Sequence, residues 1–393
     1  MDFSFSDEDE AFRAEARAWL TEQLEGPFAG VRGRGGPGDE HALYDERLEW
    51  EHALGAAGWT CVGWPKEHGG RDLSLYQQVI WFEEYARAAG PGRLGHIGET
   101  LAGPTIIAFG DRQQQERFLP GIVAGTELWA QGYSEPNAGS DLANVQTRAE
   151  RDGDEWVITG QKVWTSLAHW AQWAFVLCRT DREAPKHKGI SYLLVPLEQD
   201  GVEVRPIRQI TGTSEFNEVF FDGARTAVAN TVGKVDDGWK VAMGTLAFER
   251  GASTLGQQHE FQNQLDHVTA LARANGRIDD PTFRQRLTDA WIGLRVMRWN
   301  TLRVLSSAGA ELPREAMITK LFWANWHRDL GVLAMDVLGP HADLAEPEPG
   351  YELTALQRLF LFTRSDTIYA GSNQIQRNII GERALGLPPE PRA

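Results

Sequence analysis

Trp129-Ala-Gln-Gly-Tyr-Ser-Glu-Pro-Asn-Ala-Gly-Ser-Asp141 is where the pattern of the chain changes, and the fold class turns on how it is read. The segment reads as a strand running into a loop with Pro136, Gly139, two serine hydroxyls and little bulk near its end. Upstream, from Asp7 to about Trp129, apolar residues recur at helical spacing: Phe12, Ala16, Trp19 and Leu20, then Leu43, Leu48 and Trp50, then Val79, Ile80 and Phe82. Downstream, to Asp237, the runs are short and β-branched or aromatic. Trp156–Thr159, Ala174–Cys178, Ile190–Val195, Val202–Val204 and Val219–Phe221 alternate with turns such as Arg151–Asp154 and Asp222–Gly223. After Gly238 the helical period returns over 239–274, 281–308, 313–338 and 351–381. The expected fold is α+β: an N-terminal helical domain over 1–127, a middle antiparallel β-domain over 128–237, and a C-terminal helical bundle over 238–393.

Composition narrows the function. Of 393 residues, 42% are apolar and 24% charged, the balance of a chain that folds. Lys plus Arg is 39 against Asp plus Glu at 55, so the net charge is 39 − 55 = −16, which repels polyphosphate backbones and acidic lipid surfaces. Nucleic acid and membrane are therefore not expected as partners. Cys61 and Cys178 alone cannot build a disulfide framework or a thiolate cluster, and they suit a reducing cytoplasm. The acidic start, MDFSFSDEDEAFRAEARAWL, has no basic lead into an apolar core, and no apolar run approaches membrane-spanning length. The expected location is cytoplasmic.

Several familiar chemistries are missing. There is no GxSxG elbow and no HExxH, and His259 and His267 stand eight apart near a helix face, so no metal site is expected. Gly33-Arg-Gly-Gly-Pro-Gly38 matches GxGxxG literally, but it follows a helix and carries Pro37, so it reads as a solvated loop rather than a dinucleotide cradle.

Three segments can carry chemistry. The 129–141 loop lets backbone amides, Ser134 and Ser140 come close to a polar ligand. In Gln161-Lys-Val-Trp-Thr-Ser166 an indole and a hydroxyl stand two residues apart, hence on one strand face, where they can wall a flat heterocycle. In Asp366-Thr-Ile-Tyr-Ala-Gly-Ser-Asn-Gln-Ile-Gln-Arg377 a small-residue loop with Gly371 and Ser372 opens a helix amphipathic through Ile375, Ile379 and Ile380, a device for binding anions or carbonyl oxygens.

In order and setting, these three segments resemble the acyl-CoA dehydrogenase family. The resemblance spans nearly the whole chain, through Gly63-Trp-Pro-Lys-Glu-His-Gly-Gly70, Arg117-Phe-Leu-Pro-Gly-Ile122 and Ile379-Ile-Gly-Glu-Arg383, and is most specific at Ser134-Glu-Pro-Asn-Ala-Gly-Ser140. It implies an FAD enzyme that takes a proton from Cα and a hydride from Cβ of an acyl thioester, on CoA or on an acyl-carrier protein, and passes electrons to an electron-transfer flavoprotein. It further implies that Gln131, Tyr133, Ser134, Gly139 and Ser140 line the flavin and its phosphates, with Ser140 also touching the acyl carrier group. Trp164 and Ser166 would cover the isoalloxazine, and Ser372 and Gln374 would meet the adenosine portion.

Most members carry the catalytic base in Tyr-Glu-Gly-Thr, whereas this chain has Tyr369-Ala-Gly-Ser372. Leu246-Ala-Phe-Glu-Arg250 is similar to the Leu-Asp-Leu-Glu-Arg of the isovaleryl-CoA branch, which makes Glu249 the expected base and places Phe248, Arg250, Ala370 and Gly371 with Ser140 around the substrate. The amide of Ala370 would hold the thioester oxygen. An Arg that in many members reaches a neighbouring subunit's FAD pyrophosphate is replaced by Asn275, with Arg277 or Arg284 as substitutes, and a usual Gln is replaced by Met335. Either FAD is then held by fewer cations than usual, or a different subunit completes the site, as in the paired steroid-side-chain dehydrogenases of actinobacteria. Two other readings stay open: a flavin monooxygenase or acyl-CoA oxidase of the same fold, and a non-catalytic partner subunit. Trp291, Trp299, Phe322, Trp323 and Trp326 exceed what one helical layer buries, so a homodimer or tetramer, or a hetero-oligomer, is expected.

Overall fold

In a computed structural model, residues 5–248, 256–307, 314–345 and 352–389 are described. The helices and strands run in the order α1 (Asp7–Leu24), α2 (Tyr44–Ala56), α3 (Leu75–Arg87), α4 (Gly103–Phe109), α5 (Arg112–Val123), β1 (Trp129–Gly132), β2 (Arg148–Asp152), β3 (Glu155–Ser166), β4 (Trp173–Arg179), β5 (Ile190–Pro196), β6 (Val202–Pro206), β7 (Phe216–Ala227), β8 (Thr231–Val232), α6 (Gly238–Phe248), α7 (Gln258–Ala274), α8 (Pro281–Ser307), α9 (Thr319–Leu338), α10 (Ala355–Phe362) and α11 (Asn373–Ile379). The helical, β, helical order is the one the sequence predicts. Packing joins the chain into two units: Met1–Gly26 with Leu75–Gly90 and Ala252–Ala393, and Pro27–Ser74 with Pro91–Gly251.

In the first unit, Ser6 starts α1 through a reciprocal capping box with Asp9. Arg13 of α1 then donates to Glu83 at 3.0 Å and Glu84 at 3.1 Å on α3, and Arg298 of α8 also pairs with Glu83. Glu83 is fully buried, and its cationic partners offset the cost of desolvating it. The main core of this unit comes from Phe261, Leu265 and Val268 of α7, Phe283 and Leu294 of α8, and Trp323, Leu330 and Leu333 of α9.

The second unit is built on a sheet of order β6-β7-β3-β2-β4-β5-β8. Its longest pairings are antiparallel as expected, but β4 has two parallel neighbours: β1, with Gln131 opposite Phe175, and β2, with Arg148 opposite Arg179. The glycine-rich loop folds around Arg47, whose guanidinium donates to the carbonyls of Glu40 and Gly92. A Cβ on Gly35 would fall 2.1 Å from that guanidinium, so this glycine makes room for an arginine.

Two helical expectations are corrected. The segment at 313–338 begins with a 3-10 turn over Arg314–Ile318, and α9 starts at Thr319. The segment 351–381 is not continuous: α10 ends at Phe362, and left-handed Ala370 (φ 50°) and Gly371 (φ 82°) turn the chain before α11. Residues in that region of backbone space cannot continue a right-handed helix.

Candidate active site

In the sheet unit, the site begins at an irregularity in β3. The alternation Trp156, Ile158, Gly160, Lys162 points inward, and simple continuation would bury Trp164. Instead the register with β7 slips between Lys162 and Thr165, Trp164 takes φ 59°, and its indole is 58% exposed while Thr165 is buried. This bulge brings Trp164 and Ser166 to the accessible side together. Trp164 is exposed and Ser166 partly exposed with buried Thr165 between them, an arrangement that strand periodicity alone does not supply. Leu167 is also left-handed at φ 55°, so strained non-glycine residues bracket Ser166, and strain of this kind clusters at ligand sites. Phe216 of β7 supports the indole edge-on at 6.1 Å.

The 133–141 loop is fastened to β3. Lys162, wholly buried, donates to the Tyr133 carbonyl at 3.2 Å and to Glu135 at 2.8 Å. Glu135 also accepts from the amides of Gln146 at 2.6 Å and Thr147 at 2.9 Å. Burial alone would raise the Glu135 pKa, but Lys162 and those amides hold it below the usual carboxylate value. Burial pulls Lys162 below the usual lysine value despite its partner. A short bridge between Glu135 and Ala138 closes the loop. Gly139 and Ser140 project outward, their amides bonded to nothing among the described residues, and a Cβ on Gly139 would meet no atom within 4 Å. Gln131 is half-buried on β1. The Tyr133 ring lies inside the core against Phe175 at 5.6 Å, so its side chain is turned away from the open face of the loop.

Behind Ser166 lies a titratable group that sequence reading missed. His169 donates from Nδ1 to Asn217 Oδ1 at 3.1 Å, the Asn217 amide being oriented by its own donation to the Thr165 carbonyl. Burial, helped by His41, pushes the His169 pKa down to about 4. Burial, helped by Glu40, pushes Glu215 up to about 8.

In the helical unit, Ser372 caps α11, accepting from the Ile375 amide at 3.4 Å, and Gln374 is exposed. The helix turns inward its polar Asn373 and Gln376, while Ile375, Ile379 and Ile380 are only partly covered, which reverses the expected amphipathic face. Gln376 Nε2 donates to the Ala370 carbonyl at 3.0 Å, and a Cβ on Gly371 would fall 2.6 Å from that nitrogen. The amides of Ala370, Gly371 and Ser372 have no acceptor among the described residues. Phe248 is the last residue of α6, and Glu249 and Arg250 lie outside the described residues.

Asn275 is used internally. Its side chain donates to the Val337 carbonyl at 2.8 Å and accepts from the Arg277 amide at 3.1 Å. Arg277 pairs with Asp280 at 3.1 Å, and Arg284 donates to the Ile278 carbonyl at 3.2 Å. Met335 is partly buried on α9. The residues present fit a planar heteroaromatic ring with a polar edge, through Trp164, Ser166 and the outward amides of Gly139 and Ser140.

Sequence patterns of the acyl-CoA dehydrogenase N-terminal, middle and C-terminal domains match residues 6–126, 130–224 and 236–385. The chain belongs to the acyl-CoA dehydrogenase family, whose members are flavoprotein oxidoreductases. Among its relatives is the acyl-CoA dehydrogenase IpdE1 of Mycobacterium tuberculosis, 59% identical over 381 residues, covering 97% of this chain and 98% of that one. IpdE1 of Mycolicibacterium smegmatis is 56% identical, covering 98% and 99%. The solved Tcur3481-Tcur3483 steroid acyl-CoA dehydrogenase superposes with a TM-score of 0.86 at 33% identity, covering 99% of this chain and 100% of that one. The ChsE4-ChsE5 complex of Mycobacterium tuberculosis superposes at 0.82 with 32% identity over the full length of both. No helix among the described residues is long and apolar enough to cross a membrane.

Proposed function

We propose that this chain is an FAD-dependent dehydrogenase that converts an acyl-CoA, of the steroid side-chain or fatty-acid type, into the trans-2-enoyl-CoA; a steroid acyl-CoA dehydrogenase is among the solved structures it resembles. The observation that carries this reading is the β3 bulge, which holds an exposed indole and a hydroxyl side by side beside an open, amide-rich loop. FAD, when bound, supplies the acceptor for the hydride leaving Cβ. Trp164 would cover the isoalloxazine and exclude water, and Ser166 would offer its hydroxyl at the ring's polar edge. Gln131, Ser134, Gly139 and Ser140, with the backbone of Tyr133, hold the flavin's polar groups, and Ser140 also meets the CoA arm. Ser372 and Gln374 meet the adenosine portion.

Glu249 takes the α-proton. The Ala370 amide stabilises the negative charge that develops on the thioester oxygen, a role for which it is available because it has no acceptor among the described residues. Phe248, Arg250 and Gly371 shape the acyl site. An electron-transfer flavoprotein removes the electrons.

Assembly completes the reading. Trp291 and Trp299 on α8 are 48% and 57% exposed, and the side chain of Asn275 is bonded internally. We infer an oligomer, with a second, related acyl-CoA dehydrogenase chain as the partner that supplies the missing phosphate-binding cation. The test is to purify the chain alone and co-expressed with such a partner. Yellow FAD should be retained in an oligomer. A flavin-free protein under both conditions would remove FAD from the account, and a flavin-loaded monomer would remove the partner.

A further inference from the structure

The Tyr369–Ser372 turn is held by a buried polar array that the chemistry above does not use. Asp366, with no exposed surface, stands at its base. Its Oδ2 lies 2.8 Å from His327 Nδ1 on α9, and its Oδ1 accepts the Tyr369 hydroxyl at 2.7 Å. The ammonium of Lys320 donates to the Asp366 carbonyl and lies 5.6 Å from the centre of the Tyr369 ring. His327, 5% exposed, is fixed from its other side by Gln264 of α7, with Nε2 2.7 Å from the amide oxygen, and its ring packs on Phe261 at 4.3 Å. Beyond the turn, the Asn373 amide donates to the Thr367 carbonyl at 3.0 Å and Gln376 anchors the Ala370 carbonyl at 3.0 Å. Each of these bonds constrains a side chain or a carbonyl, and none consumes the amides of Ala370, Gly371 or Ser372.

A buried carboxylate is costly unless donors satisfy it, so an array of this kind is retained where it fixes something. We propose that His327 and Asp366 are positioning residues that aim the Ala370 amide. They act by clamping Tyr369, and with it the backbone of the left-handed turn at Ala370 and Gly371, to α9 and α7. The inference rests on the assignment of that amide to the thioester oxygen. An amide that is already aimed strengthens its bond as charge develops in the transition state, so its misplacement lowers kcat more than it raises KM.

The test compares His327→Phe, His327→Asn and Tyr369→Phe with Val337→Ala. The last removes buried volume from the same helix without touching the array. Asparagine places an amide nitrogen near the position of the imidazole Nδ1 and should restore the bond to Asp366. His327→Phe should lower kcat by roughly 10- to 100-fold, below the full loss of an oxyanion donor, with KM and FAD content within about threefold. His327→Asn should recover most of this, and Tyr369→Phe should lose about 3- to 10-fold. Hydrogen exchange of the Tyr369 and Asn373 amides, which donate to the Ser365 and Thr367 carbonyls, should accelerate in His327→Phe and not in Val337→Ala. If His327→Phe only lowers the melting temperature, as Val337→Ala does, with kcat and local exchange unchanged, the array merely stabilises the bundle and the proposal is wrong. Should His327→Phe not fold, Tyr369→Phe carries the same decision. Exchange is read without flavin or substrate, so a failure of the assigned activity is recognised separately from a failure of the array.

Discussion

The loop at 133–141 and the turn at 366–372 are both small-residue backbone segments held by buried charge, and they are held differently. On the sheet, one lysine and one glutamate do most of the work: Lys162 and Glu135 form a direct ion pair that also ties down the Tyr133 carbonyl and two amides. In the bundle, Asp366 is satisfied by a histidine and a tyrosine, with Lys320 and Gln376 each supporting a backbone carbonyl of the turn. A two-member clamp fails when either member is removed. A distributed array degrades by steps. Fastening strength should therefore differ sharply in the response to single substitutions, although both segments offer amides with no partner among the described residues.

The largest effect lies outside both clamps. Glu249→Gln keeps the shape of the proposed base and removes its ability to accept a proton. Flavin bleaching by substrate should fall by about two to four orders of magnitude while FAD content stays normal. Unchanged bleaching would detach the catalytic base from Glu249 and leave the comparison of the two clamps as one of binding alone.

Lys162→Met tests the two-member clamp. It leaves a buried carboxylate without its cation, and the cost should be about 3–5 kcal/mol, read as a lower melting temperature and faster loss of FAD. Combining it with Glu135→Gln should recover part of both, because the stranded charge is gone. If the single variant is as stable as wild type, the pair contributes nothing and the contrast with Asp366 collapses.

A smaller effect sharpens the picture around Ser166. Glu215 is pushed up to about 8 from 4.5, so the folded state holds a proton that the unfolded chain has released, and this contribution to stability is present below 4.5 and lost as pH rises through 8. His169 works in the opposite direction. With its pKa down at about 4 from 6.5, its contribution is present above 6.5 and lost as pH falls toward 4. Glu215→Gln should therefore be more stable than wild type at about pH 8, by on the order of a few degrees, with the difference vanishing toward pH 5. A pH-independent difference in thermal melts would show that Glu215 is ionised in the folded protein.

The two regions also differ in how much of them the sequence discloses. Period-two alternation in β3 makes Lys162 visible as a charge at an inward position, and Ser134–Ser140 marks the loop it holds. The bulge that exposes Trp164 is invisible to that periodicity, because one residue inserted into a strand changes no residue type. In the bundle, Ala370–Gly371 is readable as a turn, but its supports come from residues 320, 327 and 376, which converge only through tertiary packing. The Ile375, Ile379 and Ile380 stripe misleads there, since Asn373 and Gln376 are the buried residues. Polar side chains that anchor carbonyls leave no mark in a hydrophobic pattern.

The most direct measurement of the central claim is anaerobic flavin reduction across a panel of straight-chain, branched and steroid-ring acyl-CoAs. It would use the FAD-loaded protein, with its partner chain if FAD retention requires one, and would identify the organic product. At least one class should bleach the flavin's visible absorbance stoichiometrically and yield the trans-2-enoyl-CoA in the absence of oxygen. A protein that holds FAD fully yet is bleached by no acyl-CoA, or that forms product only once air is admitted, would contradict the assignment.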